Sequence, residues 1–285
     1  MKDQNAIAMA AIYAFLAIAA AFFAIPLIIM LLTSFKTAEE VREGSIFFLP
    51  ESWSLAAWGK AWGEACIGRV CEGIGGNFWN SVLITVLATS ISLLLASLNG
   101  FALAQWRLRM SGPILGMLLI GAFIPYQIMI YPLVRLFATG GMHQTLGAIV
   151  TVHVLFGLPI LTLIFRNFYI GLPEELIKAA RVDGAGFFQI YGMIIVPMSV
   201  NVFLVAAILS ITGVWNDYLL GLIFAGPNFQ PMTVSLQNLV GTQMGLPEYN
   251  VNMAATILTA LPPLAVYLLS GKYFVRGVTA GAVKG

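Results

Sequence analysis

Charged residues are scarce in this chain. Of its 285 residues only 9% are charged and 60% are hydrophobic, whereas a soluble domain usually carries about 25% charged residues. The mean hydropathy is +0.92. This composition excludes an ordinary soluble protein and indicates a polytopic membrane protein. The net charge of +2 is small and the basic residues are not clustered, which argues against nucleic-acid binding.

The residues of common catalytic and metal sites are also few. The chain has two cysteines and two histidines, and they form no cluster with metal-ligand spacing. It lacks the G-x-x-x-x-G-K-[ST] loop that cradles phosphates, so any nucleotide-driven step must use another subunit. We therefore predict no catalytic residue, no metal and no cofactor in this chain. Cys66 and Cys71 could form a short-loop disulfide or remain two free thiols.

Long hydrophobic runs are abundant. A membrane-spanning helix needs about 20 mostly apolar residues, because it must satisfy its own backbone hydrogen bonds in hydrocarbon. The first apolar run exceeds a signal-peptide core, which favours an anchored helix. The sequence thus predicts an all-α membrane protein with one transmembrane domain over residues 1–285. Its six predicted helices are 7–32, 78–104, 113–136, 145–165, 196–225 and 252–275.

The distribution of Lys and Arg predicts which ends of the spans face the cytoplasm. With the N-terminus inside, nine basic residues fall on the inner side and five on the outer side. Both termini and the connection 167–195 are therefore predicted to be cytoplasmic. The two largest outer connections are then 33–77 and 226–251. The first contains several tryptophans, which suit a membrane-surface belt or a protein contact.

A charged stretch, "EELIKAARVDGAG" at 174–186, interrupts this apolar chain. Pro173 suits a first helical turn, and Glu174 and Glu175 are favoured there by the helix dipole. Gly184 is suited to end the helix, since glycine readily takes the left-handed conformation. The pattern predicts a helix of about ten residues with Ala179 and Ala180 exposed. Such a helix could dock into a groove on another protein or lie at the membrane surface.

A longer segment that overlaps this stretch, "KAARVDGAGFFQIYGMIIVP", resembles the signature loop of ATP-binding-cassette importer permeases. The positions that fit that pattern are Ala179, Ala180, Asp183, Gly184, Ile194 and Pro197. Further segments resemble the carbohydrate-uptake branch, and in particular the second maltose permease subunit. They are "TSFKTAEEV", "NSVLITVLATSISLLLASLNGFALA", "FIPYQIMIYPL", "WNDYLLGLIFA" and "KYFVRGVTAGAVKG".

This resemblance implies a type I importer permease fold in a bacterial inner membrane. It also implies four partners: a second permease subunit, two ATPase subunits that bind ATP and Mg, and a periplasmic sugar-binding protein. The residues implied to couple to the ATPase are Glu174, Glu175, Lys178, Ala179, Ala180, Asp183 and Gly184. The chain departs from the family at Lys178, where the usual residue is Glu.

Polar and aromatic residues of the predicted spans are candidates for the substrate path. They are Asn80, Tyr126, Gln127, Trp215, Asn216, Asp217 and Tyr218. Sugar hydroxyls and pyranose faces bind such side chains, but so do neighbouring helices and the membrane interface. His153 has no evident partner in the sequence, and we expect a helix-to-helix hydrogen bond rather than proton relay.

The substrate is predicted from a second resemblance. The segment "ACIGRVCEGIGGNFWNS" resembles glucose and mannose permeases of Gram-negative bacteria, which implies a hexose. An alpha-glucoside or another oligosaccharide is the alternative. From a different class, a proton-coupled secondary transporter would need several intramembrane charges, and only Asp217 is an acidic residue within a predicted span.

Overall fold

The computed structural model describes residues 2–68, 70–106, 110–241 and 246–282, with side chains described between residues 7 and 271 of those ranges. The described part is mostly helical. Its helices are α1 Lys2–Ser34, α2 Ala38–Glu43, α3 Ala56–Gly63, α4 Gly75–Gln105, α5 Ser111–Phe123, α6 Tyr126–Thr139, α7 Leu146–Ile170, α8 Glu174–Val182, α9 Phe187–Ile190, α10 Val196–Met198, α11 Val200–Trp215, α12 Leu219–Phe224, α13 Met232–Gly241 and α14 Tyr249–Ala282. A π-helical turn, Tyr191–Ile195, joins α9 to α10, and a 3-10 turn, Pro227–Phe229, precedes α13.

In the described part of the chain, four helical segments are long and apolar enough to cross a membrane. They are Ile7–Ser34, Gly75–Gln105, Leu146–Ile170 and Tyr249–Gly271. Two bent pairs meet the same test when each is taken as one span: α5 with α6, bent by 100°, and Phe187–Met198 with α11, bent by 81°. The predicted all-α membrane class is confirmed.

The structure differs from the sequence prediction in two of the six spans. One helix was predicted for 113–136, but α5 ends before Ile124 and α6 begins after Pro125. Proline lacks the N–H of a helical hydrogen bond and disfavours helical geometry in the residue before it, and Ile124 is accordingly extended (φ −68°, ψ 124°). A continuous helix over 113–136 is therefore wrong.

The predicted fifth span, 196–225, is also interrupted. The first break is at Ser199, which lies between α10 and α11, and the second is at 216–218. At the second break the Asp217 Oδ2 atom accepts a hydrogen bond of 2.9 Å from the Gly221 N–H at the start of α12. A side chain that bonds a nearby backbone group offers the chain an alternative to a continuous helix.

The chain divides into two compact units. One comprises residues 1–76 and 235–260, and the other comprises 77–234 and 261–285. In the first unit Lys60 Nζ pairs with Glu248 Oε2 at 2.6 Å, and the Asn250 side chain donates to the Lys36 carbonyl at 3.1 Å. Strands β1 Cys66–Ile67 and β2 Val70–Cys71 pair antiparallel there.

Cys66 and Cys71 are joined by a disulfide across this two-stranded hairpin. Of the two states that the sequence left open, the structure has the disulfide. Disulfides persist in oxidising compartments, and the sequence predicts that the connection 33–77 lies on the outer side.

A carboxylate organises the loop that follows α1. Thr37 and Glu40 form a capping box at α2, in which the Glu40 Oε2 atom accepts from the Thr37 N–H at 2.8 Å. The Glu40 Oε1 atom also accepts from the backbone N–H groups of Glu51 at 2.6 Å and Ser52 at 3.1 Å. These bonds, led by that from Thr37, lower the pKa of Glu40 from its usual 4.5.

We expect this loop to loosen in acid. Because the pKa of Glu40 is lower in the folded chain, its contribution to stability is present above pH 4.5 and is lost as the pH falls through the lowered value. Relative to their intrinsic exchange rates, the Glu51 and Ser52 amides should therefore lose protection from hydrogen exchange as the pH falls through the lowered pKa of Glu40. Glu40→Gln should make exchange at these amides fast at neutral pH, and Glu39→Gln is the matched control. Equal protection in wild type and Glu40→Gln would contradict this role.

Among its described residues, the second unit contains two buried apolar clusters. One gathers residues of α4, α7, α8, α9, α11 and the π-turn, including Phe101, Phe165, Tyr169, Ile177 and Ile190. The other gathers residues of α4, α6, α7 and α12, including Leu133, Ile149 and Phe224. The first cluster packs the short helix α8 against the ends of the long helices α4 and α7.

Candidate docking surface

Helix α8 forms where the sequence predicts it. It runs from Glu174 to Val182, follows Pro173 and carries both acidic residues in its first turn. Gly184 has a φ of +84°, which is the left-handed conformation that favours glycine. The predicted helix and its glycine stop are confirmed.

One face of α8 packs on its own chain and the other is open. Ile177 and Ala180 lie three residues apart, so they share a face, and both are buried in the first apolar cluster. Leu176, Lys178 and Ala179 are exposed. The expectation that Ala180 is exposed is therefore wrong, because helical periodicity places it beside Ile177. Ala180 therefore belongs to the face of α8 that packs on its own chain.

The basic residue that departs from the family pattern pairs within α8. Lys178 Nζ lies 2.8 Å from Glu174 Oε2, one helical turn earlier, and both side chains are largely exposed. Exposed pairs of this spacing stabilise a helix by about 0.3–0.5 kcal/mol. The pair is therefore electrically neutral as a whole and contributes little to folding.

Arg181 fastens the last turn of α8 to the end of α4. Its guanidinium carbon lies 4.3 Å from the centre of the Trp106 ring, and its Nη2 donates to the Gln105 carbonyl at 3.1 Å. The Gln105 Nε2 atom in turn donates to the Tyr169 carbonyl at 2.7 Å, near the end of α7. These contacts, which we call the arginine clamp, link α8 to both long helices.

We expect Arg181→Leu to release α8 without unfolding the chain. The variant loses a cation–π contact and a charged hydrogen bond, worth together about 1–2 kcal/mol, so local opening of 174–182 should rise roughly tenfold. Hydrogen exchange of the α8 amides measures this. Lys178→Leu, which loses only an exposed pair, is the control and should change exchange less than about threefold. Equal exchange in the two variants would contradict the clamp.

Aromatic rings fill the space beneath α8. Phe101 packs against Phe187 at 4.9 Å and against Tyr191 at 5.9 Å between ring centres. The hydroxyls of Tyr169 and Tyr191 both bond to Ser97 Oγ, at 2.7 and 2.9 Å. A close-packed and hydrogen-bonded contact of this kind transmits displacement because it cannot be compressed. These contacts join α4 to α7 within the apolar cluster on which α8 packs.

An open hollow lies beside the C-terminal end of α8. It has a volume of about 430 Å³ and is lined by residues from Ala180 to Ile194, including Asp183, Gly184 and Gln189. Met193, which lines the hollow, is 78% exposed, and two apolar side chains next in sequence to lining residues, Val182 at 87% and Phe188 at 75%, are also exposed. We call these three side chains the apolar rim. We define the docking surface as the exposed face of α8 together with this hollow and the apolar rim. A surface of this kind is suited to contact another protein.

Sequence reasoning missed parts of this surface. Nothing in the sequence pairs Arg181 with Trp106, because the two are 75 positions apart (181 minus 106). Val182, Phe188 and Met193 did carry a signal, since they are apolar residues in a connection predicted to face water. Of the remaining residues predicted to couple to the ATPase, Glu175 and Asp183 are exposed.

The candidate substrate-path residues do not converge on one pocket. The Asn80 side chain donates to the carbonyls of Asn228 at 3.3 Å and Gln230 at 3.2 Å, so it tethers the connection after α12. Tyr126 packs on Phe156 at 5.7 Å at the break between α5 and α6, where Gln127 is exposed.

At the break between α11 and α12, some of the candidate path residues are buried and others are exposed. Trp215 is 4% exposed and lines a mainly apolar cavity of about 280 Å³, together with Thr85, Ile211 and Pro262. It is the one member of the predicted path set that lines this cavity. Asn216 and Tyr218 are exposed.

Asp217 lies beside a histidine that appeared to have no partner in the sequence. His153 is buried in α7, and its Nε2 atom is 4.0 Å from Asp217 Oδ2. This carboxylate also caps α12, and the Asp217 carbonyl accepts from the Thr233 hydroxyl at 2.6 Å. The contacts fix the break between α11 and α12, which is the structural role one expects of a polar residue between helices.

Comparison with known proteins identifies a matching family and similar proteins. Over residues 88–280 the chain matches the family described as "Binding-protein-dependent transport system inner membrane component". It is 39% identical over 188 residues to a "Probable ABC transporter permease protein" of Pyrococcus horikoshii, an alignment that covers 65% of this chain and 68% of that protein.

Two further similarities concern sequence and fold. The chain is 35% identical over 221 residues to the alpha-glucoside transport system permease protein of Rhizobium meliloti, covering 75% of this chain and 57% of that protein. It superimposes with a TM-score of 0.78 on a chain from the crystal structure of a bacterial ABC transporter involved in the import of the acidic polysaccharide alginate. That match covers 92% of this chain and 94% of the other at 19% identity, so it shows a shared fold.

Proposed function

Because the chain belongs to the family of binding-protein-dependent transport system inner membrane components, we propose that it is a permease subunit of an ATP-driven sugar importer. The fold is that of a type I importer permease, as the sequence predicts. In this proposal a second permease completes the path, two ATPase subunits bind ATP and Mg, and a periplasmic protein delivers the sugar. This chain performs no covalent chemistry.

The docking surface is the observation that supports this function best. Helix α8 is held from below by Ile177 and Ala180 and from its end by the arginine clamp, while its opposite face is open. Its rim exposes Val182, Phe188 and Met193. Apolar side chains at a water-facing surface are best stabilised by a protein partner, and we assign this surface to the ATPase. The connection 167–195 and both termini are then cytoplasmic, at a bacterial inner membrane.

The mechanism proposed is alternating access. Closure of the ATPase subunits on ATP moves α8, and the arginine clamp and the aromatic contact beneath it carry that movement into α4 and α7. The two long helices then open the transport pathway to the outer side of the membrane. ATP hydrolysis returns the pathway to its inward-open state. Such coupling is allosteric if ATP and the loaded binding protein favour the same global state.

The substrate we propose is a hexose of the glucose or mannose type. Its support is the resemblance of the hairpin segment, which contains the Cys66–Cys71 disulfide, to glucose and mannose permeases. An alpha-glucoside or another oligosaccharide is the second candidate, and the relative named for alpha-glucoside transport favours it. The path residues proposed for either sugar remain Asn80, Tyr126, Gln127 and the segment 215–218.

We expect Lys178→Glu to strengthen association with the ATPase severalfold. The family's usual acidic residue at this position implies a basic site on the partner, and the wild-type lysine opposes it. The helix itself should lose little, because exchanging the Lys178–Glu174 pair for two like charges costs about 0.5–1 kcal/mol. Affinity of the purified ATPase for the permease in nanodiscs measures the change, with Lys178→Gln as the control. Unchanged or weaker binding would contradict a basic partner site.

Sugar-stimulated ATP hydrolysis by the assembled complex tests the proposed function. The tagged chain is co-purified with its partners, reconstituted with the loaded binding protein, and assayed with hexoses and disaccharides. We expect an ATPase subunit to co-purify and a hexose to stimulate hydrolysis. Stimulation by a disaccharide alone would favour the second candidate. If no ATPase co-purifies and no sugar stimulates hydrolysis, the importer proposal is wrong.

A further inference from the structure

Four consecutive apolar side chains stand exposed in the loop that follows α1. Ile46 is 50% exposed, and Phe47, Phe48 and Leu49 are 69–70% exposed. We call these four residues the apolar tip. Isolated exposed hydrophobic residues are common in proteins, but a contiguous patch of large ones marks a contact with another protein or with a membrane.

Both ends of the loop are fastened to the end of α1. At one end the buried Lys36 donates from Nζ to the Ser45 carbonyl at 2.9 Å. At the other end the Ser54 N–H donates to the Phe35 carbonyl at 2.9 Å, and the Phe35 ring packs on Trp53 at 5.5 Å. The apolar tip is therefore held immediately beside the last turn of a membrane-spanning helix.

The loop between these anchors is also braced internally. Glu40 accepts the backbone N–H groups of Glu51 and Ser52, which follow the tip, while its other oxygen bonds Thr37. Pro50, next to the tip, is buried. Hydrogen bonds fix the backbone on both sides of the tip. The loop therefore holds the four apolar side chains in their exposed positions.

The backbone of the tip is suited to an apolar surrounding. The Phe47 N–H donates to Ser45 Oγ and the Phe48 N–H donates to the Ser45 carbonyl, both at 3.3 Å. An unsatisfied backbone N–H costs several kcal/mol in hydrocarbon. Two of the donors that would oppose insertion of the tip are therefore already paired.

The depth of the anchors matches the interfacial layer of a bilayer. Along α1 the exposed apolar residues continue to Leu31, whereas Thr33 and Ser34 are buried within the chain. Ser34, the last residue of α1, lies about 4.5 Å along the helix beyond Leu31, and the anchors Phe35 and Lys36 follow it directly. Each polar layer of a bilayer is roughly 5–8 Å thick, so the loop begins within it.

We propose that Ile46–Leu49 inserts into the lipid bilayer beside the first span as an interfacial anchor. Lipid fits the tip better than a specific protein partner. The loop that carries the tip is fastened directly after α1, whose apolar side chains are exposed as far as Leu31. The four side chains of the tip offer no polar group for pairing, and aromatic rings are favoured at membrane interfaces. This inference requires only that α1 spans the membrane, so it does not depend on the proposed import function.

Spin labelling of the full chain in nanodiscs tests this anchor. Phe48→Cys and, as the matched control on the same loop, Glu43→Cys are labelled while Cys66 and Cys71 remain paired in their disulfide. Collision rates of each label are then measured with oxygen, which partitions into lipid, and with a water-soluble nickel chelate. The label at 48 should have an oxygen-to-nickel ratio severalfold above that at 43.

Two results would overturn the anchor. Equal ratios at the two positions would place the tip in water. Protection of the label at 48 from both reagents, retained when the other transporter subunits are present and lost when they are removed, would assign the tip to a protein partner. A repeat with Phe47→Cys guards against a local effect of one label, and it must give the same ordering as Phe48→Cys.

Discussion

We expect sugar uptake to fall about tenfold in Gly184→Val, while the chain still inserts and assembles. Gly184 has a φ of +84°, and a β carbon there would meet no atom within 4 Å, so the cost is backbone strain rather than a clash. A β-branched residue in the left-handed region costs about 1–2 kcal/mol. The chain relieves that strain by reshaping the end of α8, and the docking surface is lost.

Gly184→Asn is the matched variant, because asparagine tolerates the left-handed conformation. It should retain most of the uptake and most of the ATPase coupling, although it adds a larger side chain at the same place. Transport is measured in whole cells, and the amount of inserted chain is measured in the same membranes. Wild-type uptake by Gly184→Val, or equal loss in both variants, would contradict a role for the left-handed turn in docking.

The second large effect concerns the contact between α4 and α7, the two long helices that α8 contacts. A β carbon on Gly100 of α4 would lie 2.7 Å from Phe165 Cβ and 2.8 Å from the Arg166 backbone nitrogen of α7. Real β carbons essentially never approach so closely, and the obstacle is largely backbone, which cannot rotate away. We expect Gly100→Ala to push α4 from α7 and to destabilise the chain by about 1–3 kcal/mol, as overpacking does.

Thermal unfolding of the detergent-solubilised chain measures this loss. Gly76→Ala is the control, since Gly76 lies in the same helix and a β carbon there meets nothing within 4 Å. The control should unfold at or slightly above the wild-type temperature, because alanine favours helices over glycine. A Gly100→Ala chain as stable as the control would show that α4 and α7 do not pack as closely as described.

Much of the fold follows from simple features of the sequence. Runs of about 20 apolar residues predict the helical membrane class, because hydrocarbon leaves the backbone few other ways to pair. The two interrupted spans were harder. The break at Pro125 had a visible cause, whereas the break at 216–218 depends on the Asp217 carboxylate turning back to the Gly221 N–H. Whether the chain continues as a helix or breaks at such a position depends on tertiary packing, which cannot be read from the sequence.

The candidate site was predictable only in part. Pro173, the acidic first turn and Gly184 give α8 its bounds, since each acts within a few residues. The arginine clamp joins positions 75 apart and has no such local signal. Ala180 shows a further limit, because its side of the helix depends on which face of α8 packs against the cluster.

Site-specific photo-crosslinking from the docking surface tests the central claim most directly. A photoreactive residue at Val182, which is 87% exposed and belongs to the rim, is compared with one at Tyr131, which is 71% exposed and lies in α6. The account predicts that Val182 crosslinks in membranes to a subunit bearing the phosphate-binding loop that this chain lacks, and that Tyr131 does not. Absence of that subunit from the Val182 product, with or without ATP, would contradict the assignment of this surface to the ATPase.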